Sequence, residues 1–201
     1  MQEIKTIQIG ETVPNFSMET YEPSKKTFGS FSLKDSIDQK KWTVLVFYPA
    51  DFTFVCPTEL QYLSEKHQEL NKMDVNLISV SIDTKFVHMA WQEEEKLLKD
   101  VKYPMGSDTK GEIAKIFGVY DYKSGLAYRG TFIINPEGVL AASEINLNNV
   151  GRNMDELVRK IKAFIHCYKN PAEVCPAKWK EGGKTLKPSE KLVGKVYKEL
   201  E

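Results

Sequence analysis

One uninterrupted apolar run, residues 43–48, constrains the fold more than any other feature of the chain. The run is β-branched and aromatic without polar alternation, which is typical of a strand buried on both faces. Pro49 ends it, and after a short loop apolar residues recur at helical spacing over residues 57–73. A strand that is covered on both faces and followed by a helix indicates a layered α/β domain.

Strand and helix patterns continue to alternate downstream. Residues 75–82 predict a second strand, and residues 84–99 predict a helix with an acidic outer face. Thr109 and Glu112 have the spacing of a capping box, which predicts a short helix that Gly118 ends.

A hairpin and a long helix close the domain. Residues 127–134 and 139–145 have strand patterns and flank an Asn-Pro-Glu-Gly turn at 135–138. Residues 154–165 then form a strongly amphipathic helical pattern. Together with the buried strands, this order predicts a mixed central sheet between helices.

The last part of the chain has a different character. From residue 169 onward, Asn-Pro, Cys-Pro, Gly-Gly and Lys-Pro pairs follow one another closely, so long regular elements are not expected before residues 188–200. We therefore predict one domain over residues 1–168 and a flexible C-terminal tail over residues 169–201.

Composition excludes several classes of function. The 28 basic and 28 acidic residues cancel, so no net charge attracts nucleic acid or an anionic membrane. Hydrophobic residues make up 41% of the chain, which is ordinary for a globular protein, and no apolar run approaches the ~20 residues of a spanning helix. Residues 1–13 show no signal-peptide core, so a cytoplasmic location is expected.

The three cysteines must be interpreted one by one, because none lies in a Cys-x-x-Cys pair. Cys56 directly precedes Pro57 at the start of the predicted helix, where free backbone amides and the helix dipole favour a thiolate. From position alone, a buried structural cysteine is an equally good interpretation. The histidines lack metal-ligand spacing and no glycine-rich phosphate loop is present, so we expect no bound metal, nucleotide or flavin.

The residues around Cys56 resemble a known active-site loop. The sequence Pro-Ala-Asp-Phe-Thr-Phe-Val-Cys-Pro-Thr-Glu at 49–59 is similar to that of the peroxiredoxins, in which Pro49, Thr53 and Cys56 match recurring positions. Residues 129–132, 151–152 and 174–180 fit the same family in order. The resemblance is to the typical two-cysteine peroxiredoxins, in the subgroup of the alkyl hydroperoxide reductase peroxidase subunit, and it extends from about residue 10 to residue 196.

This resemblance implies a thioredoxin-like sandwich fold and thiol-dependent reduction of hydrogen peroxide and organic hydroperoxides. Cys56 would be the nucleophile. Arg129 would hold the thiolate and the peroxide oxygens, since its guanidinium is a fixed fork of charged donors. Thr53 would accept the substrate proton and donate to sulfur, and Pro49 would shield the pocket from water.

Two further residues would orient Arg129 by the same resemblance. Glu59 and Arg152 would satisfy and position the remaining donors of its guanidinium. Simple stabilisation of the first helical turn by Glu59, and a surface position for Arg152, are the alternatives that the sequence leaves open.

A sulfenic acid at Cys56 needs a second thiol to form a disulfide. The resemblance implies that Cys175 of the partner subunit in a homodimer supplies it, and that five dimers close into a ring. Cys167 is interpreted first as a small packing residue at a helix end and second as an accessory thiol. Reducing equivalents would come from a flavoprotein disulfide reductase or from thioredoxin.

A rival hypothesis is a holdase or scaffolding ring of the same fold, which would not need Cys56. A disulfide oxidoreductase is disfavoured, because Val55, Pro57 and Thr58 leave no second cysteine beside Cys56.

Overall fold

A computed structural model describes residues 5–200 of the chain, in two compact units that meet between Arg152 and Asn153. The strands of the first unit are β1 (Ser17–Glu22), β2 (Thr27–Ser32), β3 (Trp42–Phe47), β4 (Val75–Ser81), β5 (Met105–Ser107), β6 (Tyr120–Asp121), β7 (Leu126–Ala127), β8 (Arg129–Ile134) and β9 (Leu140–Asn146). Its helices are α1 (Leu33–Asp38), α2 (Cys56–Asn71), α3 (Lys85–Glu94) and α4 (Glu112–Ile116), with a 3-10 turn at Lys96–Leu98.

The first unit is organised by a seven-stranded mixed sheet in the order β2, β1, β5, β4, β3, β8, β9. The central strands β3, β4 and β5 are parallel to one another, and every other pairing in the sheet is antiparallel. The strands β6 and β7 pair separately as a small ribbon. The predicted mixed α/β architecture is confirmed.

The sheet is buried on both faces at β3, as its continuous apolar run predicts. Leu45 and Phe47 join a core cluster that also contains Phe117 and Phe132. Trp42, Val44 and Val46 are also buried. They lie on the opposite face of the sheet, because side chains alternate along a strand. Helix α2 packs against β4, and α3 packs against β1.

The pairing of β3 with β8 positions the site. These strands are antiparallel with Val46 opposite Thr131, so the end of β3 lies beside the start of β8 at Arg129. The loop that leaves β3 and the first turn of α2 consequently lie near Arg129, although Arg129 is 73 positions from Cys56 in sequence.

Several local predictions need correction. The helix predicted over residues 84–99 ends at Glu94, because Glu95 adopts an extended conformation and its side chain caps the following 3-10 turn. The capping box predicted at Thr109 is also wrong. Gly111, in the left-handed region, precedes α4, and the Asp108 carboxylate accepts the backbone N–H groups of Ile113 and Ala114 instead.

The hairpin of β1 and β2 was not anticipated from the sequence. Its second strand, with exposed and partly exposed residues only, lies at the edge of the sheet and carries no alternation of apolar and polar residues. The hairpin predicted around residues 135–138 is confirmed, with Gly138 at a φ of 79° and the Asn135 side chain accepting from the backbone of Glu137 and Val139.

The second unit begins with a long helix. It contains α5 (Met154–Lys169), a 3-10 turn (Glu190–Leu192) and α6 (Tyr197–Leu200). Asn153 caps α5 by accepting from the backbone of Asp155 and Glu156. Every helix between residues 5 and 200 falls short of the length and apolar character that a membrane span requires.

Candidate active site

Cys56 is the first residue of α2, as the sequence predicts. Its side chain is fully buried, and Val55, which precedes the helix, makes no side-chain capping bond. Pro57 occupies the first turn and has no N–H group to be satisfied. The thiol therefore lies at the positive end of a helix of 16 residues, where a negative charge is favoured.

Arg129 contacts this thiol directly. Its Nη1 lies 3.3 Å from the Cys56 Sγ and 2.7 Å from the Glu59 Oε2, and donates to both. Its Nε and Nη2 donate to the backbone carbonyl of Asn148 at 3.0 and 2.8 Å. The guanidinium is held on two sides and is almost completely buried, so its direction toward sulfur is set before any substrate arrives.

Glu59 joins Arg129 to Arg152. The Glu59 Oε1 accepts from the backbone N–H and the Nε of Arg152 at 2.7 and 2.9 Å, and its Oε2 accepts from the Arg152 Nη2 at 2.9 Å. Arg152 also donates to the Gly130 carbonyl at 2.9 Å and to the Thr131 hydroxyl at 3.1 Å. Glu59 thus contacts both arginines while standing in the first turn of α2, and Arg152 is buried rather than at the surface.

The charges of this cluster do not cancel. Burial alone raises the pKa of Glu59, but hydrogen bonds and charge from Arg152, and then the charge of Arg129, hold that pKa below its ordinary value. Glu59 is therefore ionised at neutral pH, and both arginines are always protonated. One positive charge therefore remains in excess beside Cys56.

Thr53 and Pro49 lie in the loop that precedes Cys56. Pro49 is buried two residues after the end of β3, and Thr53 is half-buried. The Thr53 hydroxyl donates to the carbonyl oxygen of Ala50 at 2.8 Å, which leaves its oxygen lone pairs to accept. Its expected donation to sulfur is not made in this conformation.

A buried polar network that the sequence did not indicate anchors the same loop. The Asp51 carboxylate accepts from the Tyr48 hydroxyl at 2.7 Å and lies 2.7 Å from the His88 Nδ1. The His88 Nε2 lies 3.1 Å from the Gly106 carbonyl, and the Asp51 N–H donates to the Asp83 side chain at 2.9 Å. Burial raises the pKa of Asp51, and His88 opposes this. The network ties the loop to β4 and α3.

The remaining cysteines lie in the second unit. Cys167 is on the last turn of α5 and Cys175 is in the segment that follows. Both are half-buried free thiols.

Between residues 5 and 200, no group of three or more His, Cys, Asp or Glu side chains is arranged to hold a metal ion.

Acidification should weaken the Glu59 cluster. A carboxyl whose folded-state pKa is lowered stabilises the fold above its unfolded pKa, here about 4.5, and that contribution is lost as the pH falls through the folded pKa. The difference in unfolding free energy between the native protein and Glu59→Gln should therefore shrink below about pH 4.5. Urea unfolding across this range measures it, and a difference independent of pH would contradict the assignment.

Comparison with known proteins identifies a family. Residues 9–143 match the sequence model of the AhpC/TSA family, and residues 166–200 match that of the C-terminal domain of 1-Cys peroxiredoxin. Alkyl hydroperoxide reductase C of Staphylococcus aureus is 47% identical over 188 residues, which cover 94% of this chain and 98% of that protein.

Solved structures show the same relationship. The reduced 2-Cys peroxiredoxin of Plasmodium vivax superposes with a TM-score of 0.85 at 33% identity, covering 91% of this chain and 94% of that one. AhpC of Enterococcus faecalis gives a TM-score of 0.79 at 40% identity, covering 84% and 98%. The thioredoxin-like fold is confirmed, and the scaffolding alternative is not favoured. The chain belongs to the AhpC/TSA family, and it is a thiol-dependent peroxidase of the peroxiredoxin type.

Proposed function

We propose that Cys56 is the thiol of this peroxidase that attacks hydrogen peroxide and organic hydroperoxides. The observation that carries the proposal is the buried cluster in which the Arg129 Nη1 lies 3.3 Å from the Cys56 Sγ. This contact places a buried charged donor beside the sulfur that would attack peroxide, at the N-terminus of α2.

Charge moves during the reaction, and Arg129 is placed to follow it. The thiolate attacks one peroxide oxygen, the O–O bond breaks, and the departing oxygen takes up a proton as alcohol or water. Of the five N–H groups of Arg129, four have partners among residues 5–200, and one on Nη2 remains for a peroxide oxygen. Cys56 becomes a sulfenic acid.

Two residues of the loop that precedes Cys56 complete the proposed site. With its own proton donated to Ala50, the Thr53 oxygen can accept a hydrogen bond from the peroxide O–H. Pro49 presents a buried ring without an N–H group, and we assign it the exclusion of water from the sulfenic acid.

A disulfide with Cys175 of the partner subunit follows in this proposal. Because Cys56 has no exposed surface, we expect the first turn of α2 to unwind before another thiol reaches it. The absence of a side-chain cap at Val55 lowers the cost of unwinding. The proposal includes residues 169–201 as the tail that carries Cys175.

The assembly and the source of electrons stay predictions from the family resemblance. They are a homodimer, a ring of five dimers, and reduction by a flavoprotein disulfide reductase or by thioredoxin. The chemistry proceeds on cysteine alone and requires no bound cofactor. A cytoplasmic location likewise stays a prediction.

Trapping of the oxidised thiol tests the proposal. Reduced native protein treated with an equimolar amount of peroxide should form a dimer linked from Cys56 to Cys175 at early times. The Cys175→Ser variant should instead accumulate a sulfenic acid at Cys56 that reacts with dimedone. An unmodified Cys56 in both proteins, located by peptide mass spectrometry, would exclude it as the nucleophile.

Substituting Arg129 should slow the first step selectively. Arg129→Lys keeps a positive charge but loses the fork that contacts Cys56, Glu59 and Asn148 together. We expect the second-order rate constant for peroxide consumption to fall about 10²–10³-fold, as for loss of an oxyanion donor. Stopped-flow measurement checks this, with Arg159→Lys in the second unit as control. A change of less than about threefold would contradict the assigned role.

A further inference from the structure

Cys167 and Cys175 are in direct sulfur contact. Their Sγ atoms are 3.6 Å apart, with the Cys167 S–H donating to the Cys175 sulfur. The Cys175 S–H in turn lies 3.8 Å from the carbonyl oxygen of Ala163, to which it donates. A disulfide has an S–S distance of about 2.05 Å, so the two sulfurs need to approach by roughly 1.5 Å to form one.

The residues beside the two cysteines hold this arrangement together. The His166 Nε2 lies 2.9 Å from the Glu173 carboxylate, which also accepts from the Thr185 hydroxyl at 2.7 Å. Val174 pairs with Leu186 through two backbone hydrogen bonds of 2.9 and 3.0 Å. The His166–Glu173 contact joins the residues just before the two cysteines and so keeps the thiols close together.

The environment of Cys175 affects its reactivity. Burial, followed by the hydrogen bond and charge of Cys167, raises the pKa of the Cys175 thiol to about 11. A thiol held in its protonated form is a poor nucleophile while the segment stays folded. Once Cys175 is part of a disulfide, however, its sulfur is an electrophile, and Cys167 is the thiol that contacts this sulfur in the reduced protein.

We propose that Cys167 is a third redox thiol, which attacks the Cys175 sulfur of the Cys56–Cys175 disulfide and forms an intrachain Cys167–Cys175 disulfide. The inference rests on the proposed function, because that function supplies the first disulfide. Cys167 loses its proton to solvent, the Cys167–Cys175 bond forms, and the Cys175–Cys56 bond breaks. Cys56 leaves with the electron pair, so the exchange is redox-neutral and needs no further oxidant.

Cys56 is a favourable leaving group in this exchange. Cys56 departs as a thiolate, and in the folded site that anion regains the Arg129 Nη1 at 3.3 Å and the N-terminus of α2. A better-stabilised thiolate is a better leaving group in thiol–disulfide exchange. The exchange frees Cys56 for another peroxide while the oxidised pair stays in the second unit, where the reductant would act.

Time-resolved trapping distinguishes the relay from a simple two-cysteine cycle. Reduced native protein is mixed with an equimolar amount of hydrogen peroxide, quenched with N-ethylmaleimide at successive times, and analysed by non-reducing gel and peptide mass spectrometry. The Cys56–Cys175 dimer should appear and then decay to monomer carrying the Cys167–Cys175 disulfide and an alkylated Cys56.

The Cys167→Ser variant should form the same dimer and retain it, with a lifetime at least about tenfold longer. Lys169→Ser is the matched control at the same helix end, since Lys169 is exposed and both thiols remain. It should convert at the native rate.

Three outcomes would overturn the inference. Equal dimer lifetimes in the native and Cys167→Ser proteins would refute the relay and leave the proposed function intact. Formation of the Cys167–Cys175 disulfide at the native rate in Cys56→Ser would show that peroxide oxidises the pair directly. An unmodified Cys56 with no dimer at any time in the native, Cys167→Ser and Lys169→Ser proteins would refute the proposed function and the relay with it.

Discussion

Replacing Cys56 by serine should abolish peroxide reduction. The hydroxyl of serine does not ionise near neutral pH even beside Arg129, so the proposed nucleophile is lost while the side-chain volume hardly changes. We expect the rate of peroxide consumption, measured with dithiothreitol as reductant, to fall by at least about 10³-fold. Circular dichroism should show an unchanged fold.

A matched substitution in the same helical turn separates chemistry from packing. Thr58 is exposed two residues further along α2 and donates its hydroxyl to the Val55 carbonyl, a bond that serine can also make. Thr58→Ser should therefore retain peroxide reduction. If Cys56→Ser kept activity within about tenfold of the native protein, another thiol would have to be the nucleophile.

Replacing Glu59 by glutamine should have the largest effect on stability. The change removes the one negative charge between two buried arginines and leaves Arg129 and Arg152 facing each other without compensation. Breaking a buried ion pair from one side costs about 3–5 kcal/mol of unfolding free energy. Urea unfolding at fixed protein concentration and neutral pH measures the loss.

Glu65→Gln is the control for this experiment, because Glu65 lies on the same helix with its side chain exposed. It should change the unfolding free energy by no more than about 0.5 kcal/mol. Glu59→Gln should also slow peroxide consumption, since the Arg129 Nη1 loses its 2.7 Å partner. A variant as stable as the native protein would mean that the two arginines do not depend on Glu59.

Much of the framework follows from local sequence pattern. The apolar run at 43–48 predicts the doubly buried β3, and the helical spacing after Pro57 predicts α2 with Cys56 at its start. The turn at 135–138 predicts the hairpin of β8 and β9. These predictions succeed because the hydrophobic period, the fixed φ of proline and the freedom of glycine act over a few residues.

Some elements were missed or misplaced because a partner strand or a local cap decides where they lie. The edge strand β2 has no hydrophobic period of its own and exists because β1 offers it hydrogen bonds. Helix α4 is capped by Asp108 from outside the predicted box, and α3 stops before the end of its helical pattern. In each case a tertiary contact or a local cap outweighs the intrinsic preference of the segment.

Local sequence indicated the residues proposed for the chemistry, through the loop around Cys56 and its resemblance to the peroxiredoxins. Only the tertiary structure placed Arg129 against a sulfur 73 positions away, held by the backbone carbonyl of Asn148. Every residue has a backbone carbonyl oxygen, whatever its side chain. No sequence pattern could therefore reveal the hydrogen bond between Arg129 and the Asn148 carbonyl. The contact between Cys167 and Cys175 is likewise set by chain reversal after α5, since seven intervening residues allow many separations and the folded bonds beside the two cysteines select one.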